Sequence, residues 1–176
     1  MVLADGLELR AYTADDVAAV VEAVNGDLDH LRPWMPWAQV PVTEEAQREW
    51  LHGVLAAWDE AREFVYGIFR GTRLVGAIGL HARRGPGVLE IGYWLRADEE
   101  GRGTVTAAAR ALSRVAVVAG AERVEIRCDE ANTRSASVPR RLGFTLDAVE
   151  ERAIEAPAET GWHQVWSISA EAVRSG

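Results

Sequence analysis

Between residues 95 and 107 the chain passes from a strand-like run, Val88 to Leu95, through Glu100-Gly101-Arg102-Gly103-Thr104-Val105-Thr106 into a long alanine-rich helix, Ala107 to Ala119. No other stretch constrains the fold as much. Two glycines at a strand-to-helix junction let the backbone turn tightly and bring free amide N–H groups close to a ligand. The helix start adds four unpaired donors and a partial positive charge of roughly half a unit. Such a corner suits a phosphate or pyrophosphate. A plain strand–turn–helix corner can carry the same Gly-x-Gly, so context has to decide.

Three phosphate loops compete. A Walker-type loop needs a lysine after its last glycine, and the chain contains no lysine. A dinucleotide fingerprint is a near miss, because Thr106 stands where the third glycine belongs, although Asp129 ends the next strand at about the distance of a ribose-binding acid. That fold repeats strand–helix–strand units from its start, whereas the residues before this loop read as hairpins. The third reading is an acyl-CoA pyrophosphate loop. Here the chain resembles the GNAT superfamily of acyl-CoA N-acyltransferases, and within it the RimJ/RimL type of ribosomal-protein N-terminal acetyltransferases. Glu90-Ile91-Gly92-Tyr93-Trp94-Leu95, Gly101-Arg102-Gly103, Glu130-Ala131-Asn132-Thr133-Arg134-Ser135 and Arg141-Leu142-Gly143-Phe144 carry the resemblance, in the family's order and spacing. Leu31-Arg32-Pro33-Trp34-Met35-Pro36-Trp37 is similar to that branch's substrate-loop motif. Two departures stand out: Glu100 replaces the usual Gln/Arg, and Val105 replaces the second small residue of the loop.

Composition sets outer limits. The 176 residues fit one domain, 1–176, and can bury a substantial core. No apolar run approaches the ~20 residues of a membrane span, and no signal pattern opens the chain. A net charge of −8 disfavours nonspecific nucleic-acid or anionic-membrane binding. It suits a basic amine substrate, and it equally suits plain solubility. The single cysteine, Cys128, excludes an internal disulfide, and a cytoplasmic enzyme is the simplest location. At a strand end, Cys128 reads as a half-buried structural residue rather than a nucleophile. His30, His52, His81 and His163 are scattered without ligand spacing, so no metal is expected.

Along the chain, Leu7 to Tyr12 alternates as a first strand. Thr13 caps a helix reaching Val24, which Asn25-Gly26 stops. The segment that follows, to Pro41, holds three prolines and two tryptophans, predicting an irregular loop with a short turn of helix. Thr43-Glu44-Glu45 starts a second helix with Trp50, Val54 and Trp58 on one stripe. Strands are expected at Phe64 to Phe69, Leu74 to Leu80 and Val88 to Leu95, linked as hairpins. The third helix ends at Gly120. A strand Val124 to Cys128, a short helix from Thr133 to Leu142, and strands Phe144 to Ile154 and Trp162 to Ser169 complete the pattern. It indicates a mixed α/β (α+β) domain with a mostly antiparallel sheet. The resemblance implies the GNAT fold: a seven-stranded sheet with helices on both faces, splayed between the fourth and fifth strands to admit CoA.

Amine acylation needs a base for the ammonium nucleophile, donors for the oxyanion and an acid for the leaving thiolate. Glu90 alternates onto one face with Gly92 and Trp94, opposite Leu89, Ile91 and Tyr93. A carboxylate within an apolar strand has its pKa raised, which makes Glu90 the expected base; an exposed strand acid is the bland reading. Backbone N–H groups near Leu95 would polarise the thioester. The resemblance places Tyr93, Trp94, Leu95 and the loop Gly101, Arg102, Gly103, Thr104, Val105 and Thr106 against CoA, with Asn132 on the pantetheine arm, a role compatible with capping a helix. Ser135 matches the serine some relatives use near the thiolate. Many others use a tyrosine seven residues after the asparagine, and that position is Pro139 here. Arg102 and Arg141, with Arg134 and Arg140 nearby, could neutralise the phosphates. Trp34 and Trp37 either plug the core or wall an acceptor pocket, and Asp27, Asp29, Glu44 and Glu45 would then give that pocket an acidic rim.

The expected activity is direct transfer of acetyl from acetyl-CoA to a primary amine, on a protein N-terminus or a small molecule, in a ternary complex. Succinyl-CoA as donor, a noncatalytic CoA-binding module and a homodimer stay open.

Overall fold

The computed structural model describes residues 1–3 and 6–176. Seven strands form one sheet: β1 (Leu7–Ala11), β2 (Glu63–Arg70), β3 (Arg73–His81), β4 (Val88–Leu95), β5 (Arg123–Asp129), β6 (Thr145–Glu151) and β7 (Trp162–Ser169). Their order is β1-β2-β3-β4-β5-β7-β6, and every neighbouring pair is antiparallel except β4 with β5. β7 thus inserts between β5 and β6.

The parallel pair is short. Val88 to Ile91 lie in register with Arg123 to Ile126, and pairing stops there. From Gly92 onward β4 keeps β3 and leaves β5, which is the splay the resemblance implies. Arg96 N–H donates to Val75 O at 2.8 Å. Backbone groups alternate in direction along a strand, so the amides of Tyr93 and Leu95 point away from β3 into the opening.

Helices cover both faces. On one, α1 (Val17–Gly26) and α3 (Glu44–Asp59) pack on β2 and β3 around Val20, Val24, Leu51, Val54, Val65, Phe69 and Leu74. On the other, α4 (Thr104–Val118) and α5 (Thr133–Arg141) press Val105, Ala108, Leu112 and Val138 onto Ile78, Leu80, Ile91, Val124 and Ile126. The short α2 (Leu28–Leu31) opens the proline-rich loop as a single turn.

Three sequence expectations are corrected. The apolar stripe of α3 is Leu51, Val54 and Ala57. Trp50 and Trp58 flank it, edge-on to Tyr12 and to Phe64 and Tyr66, because the indoles are too large for the seam and cover its margins. α4 begins at Thr104 rather than Ala107, since Gly103 at φ +76° ends the loop and the buried Thr104 already belongs to the first turn. A last helix, α6 (Ala170–Ser175), was not expected; Ser169 caps it by accepting from Ala172 N–H at 3.2 Å.

Candidate active site

The glycine loop and the first turn of α4 form one wall of a cleft of about 400 Å³ whose other walls are β4 and α5. Gly101 and Gly103 have φ of +72° and +76°, values that strain any residue with a Cβ, and a Cβ at either position would meet only open space. No acid lies in the first turn of α4, and no side chain caps it. Its free amides therefore open onto a vacant, electropositive corner, which fits a pyrophosphate. Beneath it the buried Glu99 accepts from Arg70 at 2.8 and 3.1 Å and from the Thr104 hydroxyl at 3.4 Å. Arg70 holds the Glu99 carboxyl below the usual carboxylate range and ties the loop to β2. Thr104, Val105, Thr106, Tyr93, Trp94, Leu95, Asn132 and Arg141 all line the cleft. Arg102 does not; it is exposed and its guanidinium sits 3.8 Å from Glu99. Glu100 reaches across the mouth to Arg134, at 2.9 Å, with His30 3.4 Å away.

At the inner end of the cleft the strands part, and Tyr93 meets Ser135. The Tyr93 hydroxyl donates to the Ser135 carbonyl oxygen at 3.1 Å and lies 2.9 Å from the Ser135 hydroxyl. Asn132 fixes this end of α5 by accepting from Ser135 N–H at 3.1 Å, so its capping role is real. Burial raises the pKa of Tyr93 and keeps it a protonated donor. Burial also pushes the neighbouring Cys128 thiol up to about 11, so it stays a thiol at neutral pH.

A second cavity, of about 610 Å³, opens on the α1/α3 side of the sheet and shares Trp34, Met35, Tyr93, Trp94, Asn132 and Ser135 with the cleft. The two spaces meet through the splay. Trp34 and Trp37 stand in the second cavity's wall, not in the core, with Trp37 47% exposed and edge-on to Trp94 at 6.1 Å. The expected acidic rim is elsewhere. Asp27 is drawn off by the Ala97 amide, Asp29 by Arg32, and Glu44 and Glu45 sit in the first turn of α3. The acids that line the cavity are Glu63, Glu90, Asp129 and Glu159.

Glu90 departs from expectation most. Its burial pushes the carboxyl up, but Arg83, at 2.5 Å, and Arg84 both donate to it, and the net shift is downward. The strand pattern showed the burial and not the two arginines of the preceding turn. Asp129, weighed above as a ribose ligand, instead accepts from the amides of Ala131, Thr160 and Gly161 and from the Thr160 hydroxyl, pinning the loop before β7.

A family model, Acetyltransferase (GNAT) domain, matches residues 6–145. The chain belongs to the GNAT acetyltransferase family. It is an acyl-CoA-dependent N-acetyltransferase. The ribosomal-protein-serine acetyltransferase of Escherichia coli is 27% identical over 154 residues, 86% of each chain. Among solved structures, the ribosomal L7/L12 α-N-protein acetyltransferase RimL, in complex with coenzyme A, matches with a TM-score of 0.88 at 24% identity over 97% of both chains. The microcin C7 self-immunity acetyltransferase MccE, in complex with acetyl-CoA and AMP, matches at 0.87 and 20% identity, covering 94% of this chain and 93% of its own.

The sequence motifs marked most residues that line the first cleft, and of the second cavity they marked Trp34, Trp37 and Glu90 but not the residues below. Glu63, His81, Glu159 and His163 carry no motif. Glu63, His81 and Glu90 are cross-strand partners on β2, β3 and β4, so register and not sequence spacing brings them together. The signal that could have found His81 was its alternation with Gly79 along β3. Among the described residues no group of three His, Cys, Asp or Glu is placed to hold a metal ion, and no helix is long and apolar enough to cross a membrane.

Proposed function

We propose that the chain, acting as one domain over residues 1–176, moves acetyl from acetyl-CoA directly to the α-amine of a protein N-terminus in a ternary complex in the cytoplasm. The observation that carries this reading is the meeting of two cavities at Tyr93, Asn132 and Ser135. Donor and acceptor can enter from opposite faces of the sheet and touch in the splay, with no covalent enzyme intermediate. The protonated state of Cys128, the one nucleophilic thiol, agrees with that.

Each requirement of the reaction has a group. The amides of Gly101 to Thr106 hold the pyrophosphate, with Arg141 beside them and Asn132 along the pantetheine arm. Tyr93 and Leu95 N–H aim at the developing oxyanion. Ser135, backed by Tyr93, protonates the thiolate. Trp34 and Trp37 wall the acceptor cavity, whose volume falls in the range of about 300–1,000 Å³ usual for ligand sites. The name of the E. coli relative directs the first peptides to a terminal serine.

Thiol release from acetyl-CoA, measured against serine- and alanine-terminated peptides and a set of small amines, tests the proposal. Faster release with a peptide than with any small amine is the expected result. Release with small amines alone would move the acceptor to that class, and release with none would overturn the assignment.

A further inference from the structure

We infer that His81, steadied by Glu63, is the base that takes the proton from the acceptor ammonium, in the place the sequence assigned to Glu90. The inference rests on the acetyl-transfer reading above. Glu90 is badly placed to be that base, because two guanidinium groups hold it ionised and occupied. The other carboxylates of the cavity are occupied too. Asp129 is committed to three amides and a hydroxyl, and Glu159 accepts from the amides of Glu155 and Ala156. His163 is wedged between those two acids, at 3.8 and 3.6 Å, with its Nε2 sealed from solvent.

His81 is different. Its ring fills a gap made by a cross-strand pair of glycines, Gly79 and Gly92, which face each other on β3 and β4. A Cβ on Gly79 would come within 2.9 Å of Nε2, and one on Gly92 within 3.4 Å. The imidazole therefore lies over this glycine pair with Nε2 between Gly79 and Gly92, and Gly92 is the first residue of β4 beyond its last partner on β5. That is the edge of the splay, where the two cavities join. Nδ1 is sealed from solvent and lies 3.2 Å from the Glu63 carboxylate without a hydrogen bond to it, and no group hydrogen-bonds Nε2 among the described residues. With the Glu63 carboxylate beside Nδ1, Nε2 is the ring nitrogen left to face the cavity, where an imidazole can act as a general base. The charged groups around it are Glu63 on β2, Glu90 on β4, and the Arg83 and Arg84 that neutralise Glu90.

In this scheme the acceptor ammonium gives one proton to Nε2, and the free amine attacks the thioester carbon to form the C–N bond. As the tetrahedral intermediate collapses, the C–S bond breaks and the second amine proton reaches the departing sulfur through the Ser135 hydroxyl. The proton on His81 then passes to water in the acceptor cavity.

His81→Asn and Glu63→Gln test this in the full-length protein. His81→Asn keeps the size and polarity of the site without a base. It should leave the acetyl-CoA dissociation constant unchanged and lower kcat at pH 7 by about 10²–10⁴-fold. That loss should shrink at about pH 9.5, where an α-amine is already free. Glu63→Gln, at a partly exposed position that tolerates change, removes the carboxylate beside the imidazole and should lower kcat by about tenfold, with the acceptor KM unchanged. Free imidazole should restore part of the activity of His81→Gly. A His81→Asn enzyme within threefold of the parent at both pH values, or a loss that is the same at both, would overturn the inference. If His81→Asn fails to fold, an unchanged kcat in Glu63→Gln does so. A parent enzyme that acetylates no amine would instead remove the reading on which the inference rests.

Discussion

The Tyr93 hydroxyl of β4 stands 2.9 Å from the Ser135 hydroxyl of α5, joining the two walls of the splay at the point where the two cavities meet. The pair answers the question left by Pro139, which occupies the position where many relatives carry a tyrosine. A tyrosine hydroxyl is still present, but it arrives from the opposite wall and hydrogen-bonds the serine.

Ser135→Ala should therefore lower kcat by about 10²-fold or more, while Tyr93→Phe, which leaves the serine in place, should cost less, about tenfold. Neither change should move the acetyl-CoA dissociation constant by more than about twofold, because the loop and α4 hold the phosphates. Steady-state kinetics beside calorimetric binding separates the two quantities. Unchanged turnover in Ser135→Ala would mean that the thiolate departs unassisted.

Opposite charge changes in the pyrophosphate loop should have opposite effects. Glu100 stands where relatives carry Gln or Arg, and it pairs with Arg134 across the mouth of the cleft. Glu100→Gln removes a negative charge near the phosphates and frees Arg134, so acetyl-CoA should bind a few-fold more tightly, with the gain fading at high salt. Gly103→Asp puts a side chain and a negative charge into the vacant corner, at a φ of +76° that also strains it. It should abolish the rise in Tm that acetyl-CoA gives the parent, a rise worth about 2.7 kcal/mol at a hundredfold excess over Kd. Binding by Gly103→Asp at the parent's affinity would move the phosphates elsewhere.

The first cleft was legible because it is built from contiguous runs. Gly101-Arg102-Gly103 shows its turn and its helix start in the sequence, and Asn132 and Ser135 lie three residues apart on one helical turn. The second cavity is assembled across strands. Glu63 and His81 are 18 positions apart and become neighbours only through the register of β2 with β3. Glu90 shows the same limit from the other side. Its place in an apolar strand was readable, but its ionisation depends on Arg83 and Arg84 folding back from the turn before β4. Alternation predicts burial, and it is silent on partners brought by a loop.

Glu90 then becomes a structural carboxylate with a measurable pH signature. Its folded pKa lies below the unfolded value of about 4.3. Its ion pairs are therefore fully stabilising above that pH and are lost as pH falls through the lower, folded value. Glu90→Gln should cost about 1.5–3 kcal/mol at pH 7, the range for hydrogen bonds to a charged group. The gap between parent and variant should hold from about pH 5 to 8 and close below about pH 4. Turnover per folded molecule should fall far less than in His81→Asn. Urea melts across pH check the first point, and a gap that widens on acidification would contradict the lowered pKa.

Trp37 offers the cleanest test of the acceptor wall. It is 47% exposed and touches Trp94 edge-on at 6.1 Å, so its removal deletes one aromatic pair rather than opening a core cavity. Such a pair is worth about 0.5–1.5 kcal/mol, against the about 3–5 kcal/mol lost when a core tryptophan becomes alanine. Trp37→Ala should thus lower stability by about 1 kcal/mol at most. The acetyl-CoA dissociation constant should not change, because Trp37 lines the second cavity and not the donor cleft. The acceptor KM should rise by about tenfold if the indole covers the incoming amine, since about 1.4 kcal/mol of binding is a factor of ten. Trp34, which lines both spaces, should disturb donor and acceptor together, and the contrast between the two variants is the informative measurement. A Trp37→Ala enzyme with a normal acceptor KM would show that the amine enters along the Glu63 and His81 side of the cavity without meeting the proline-rich loop.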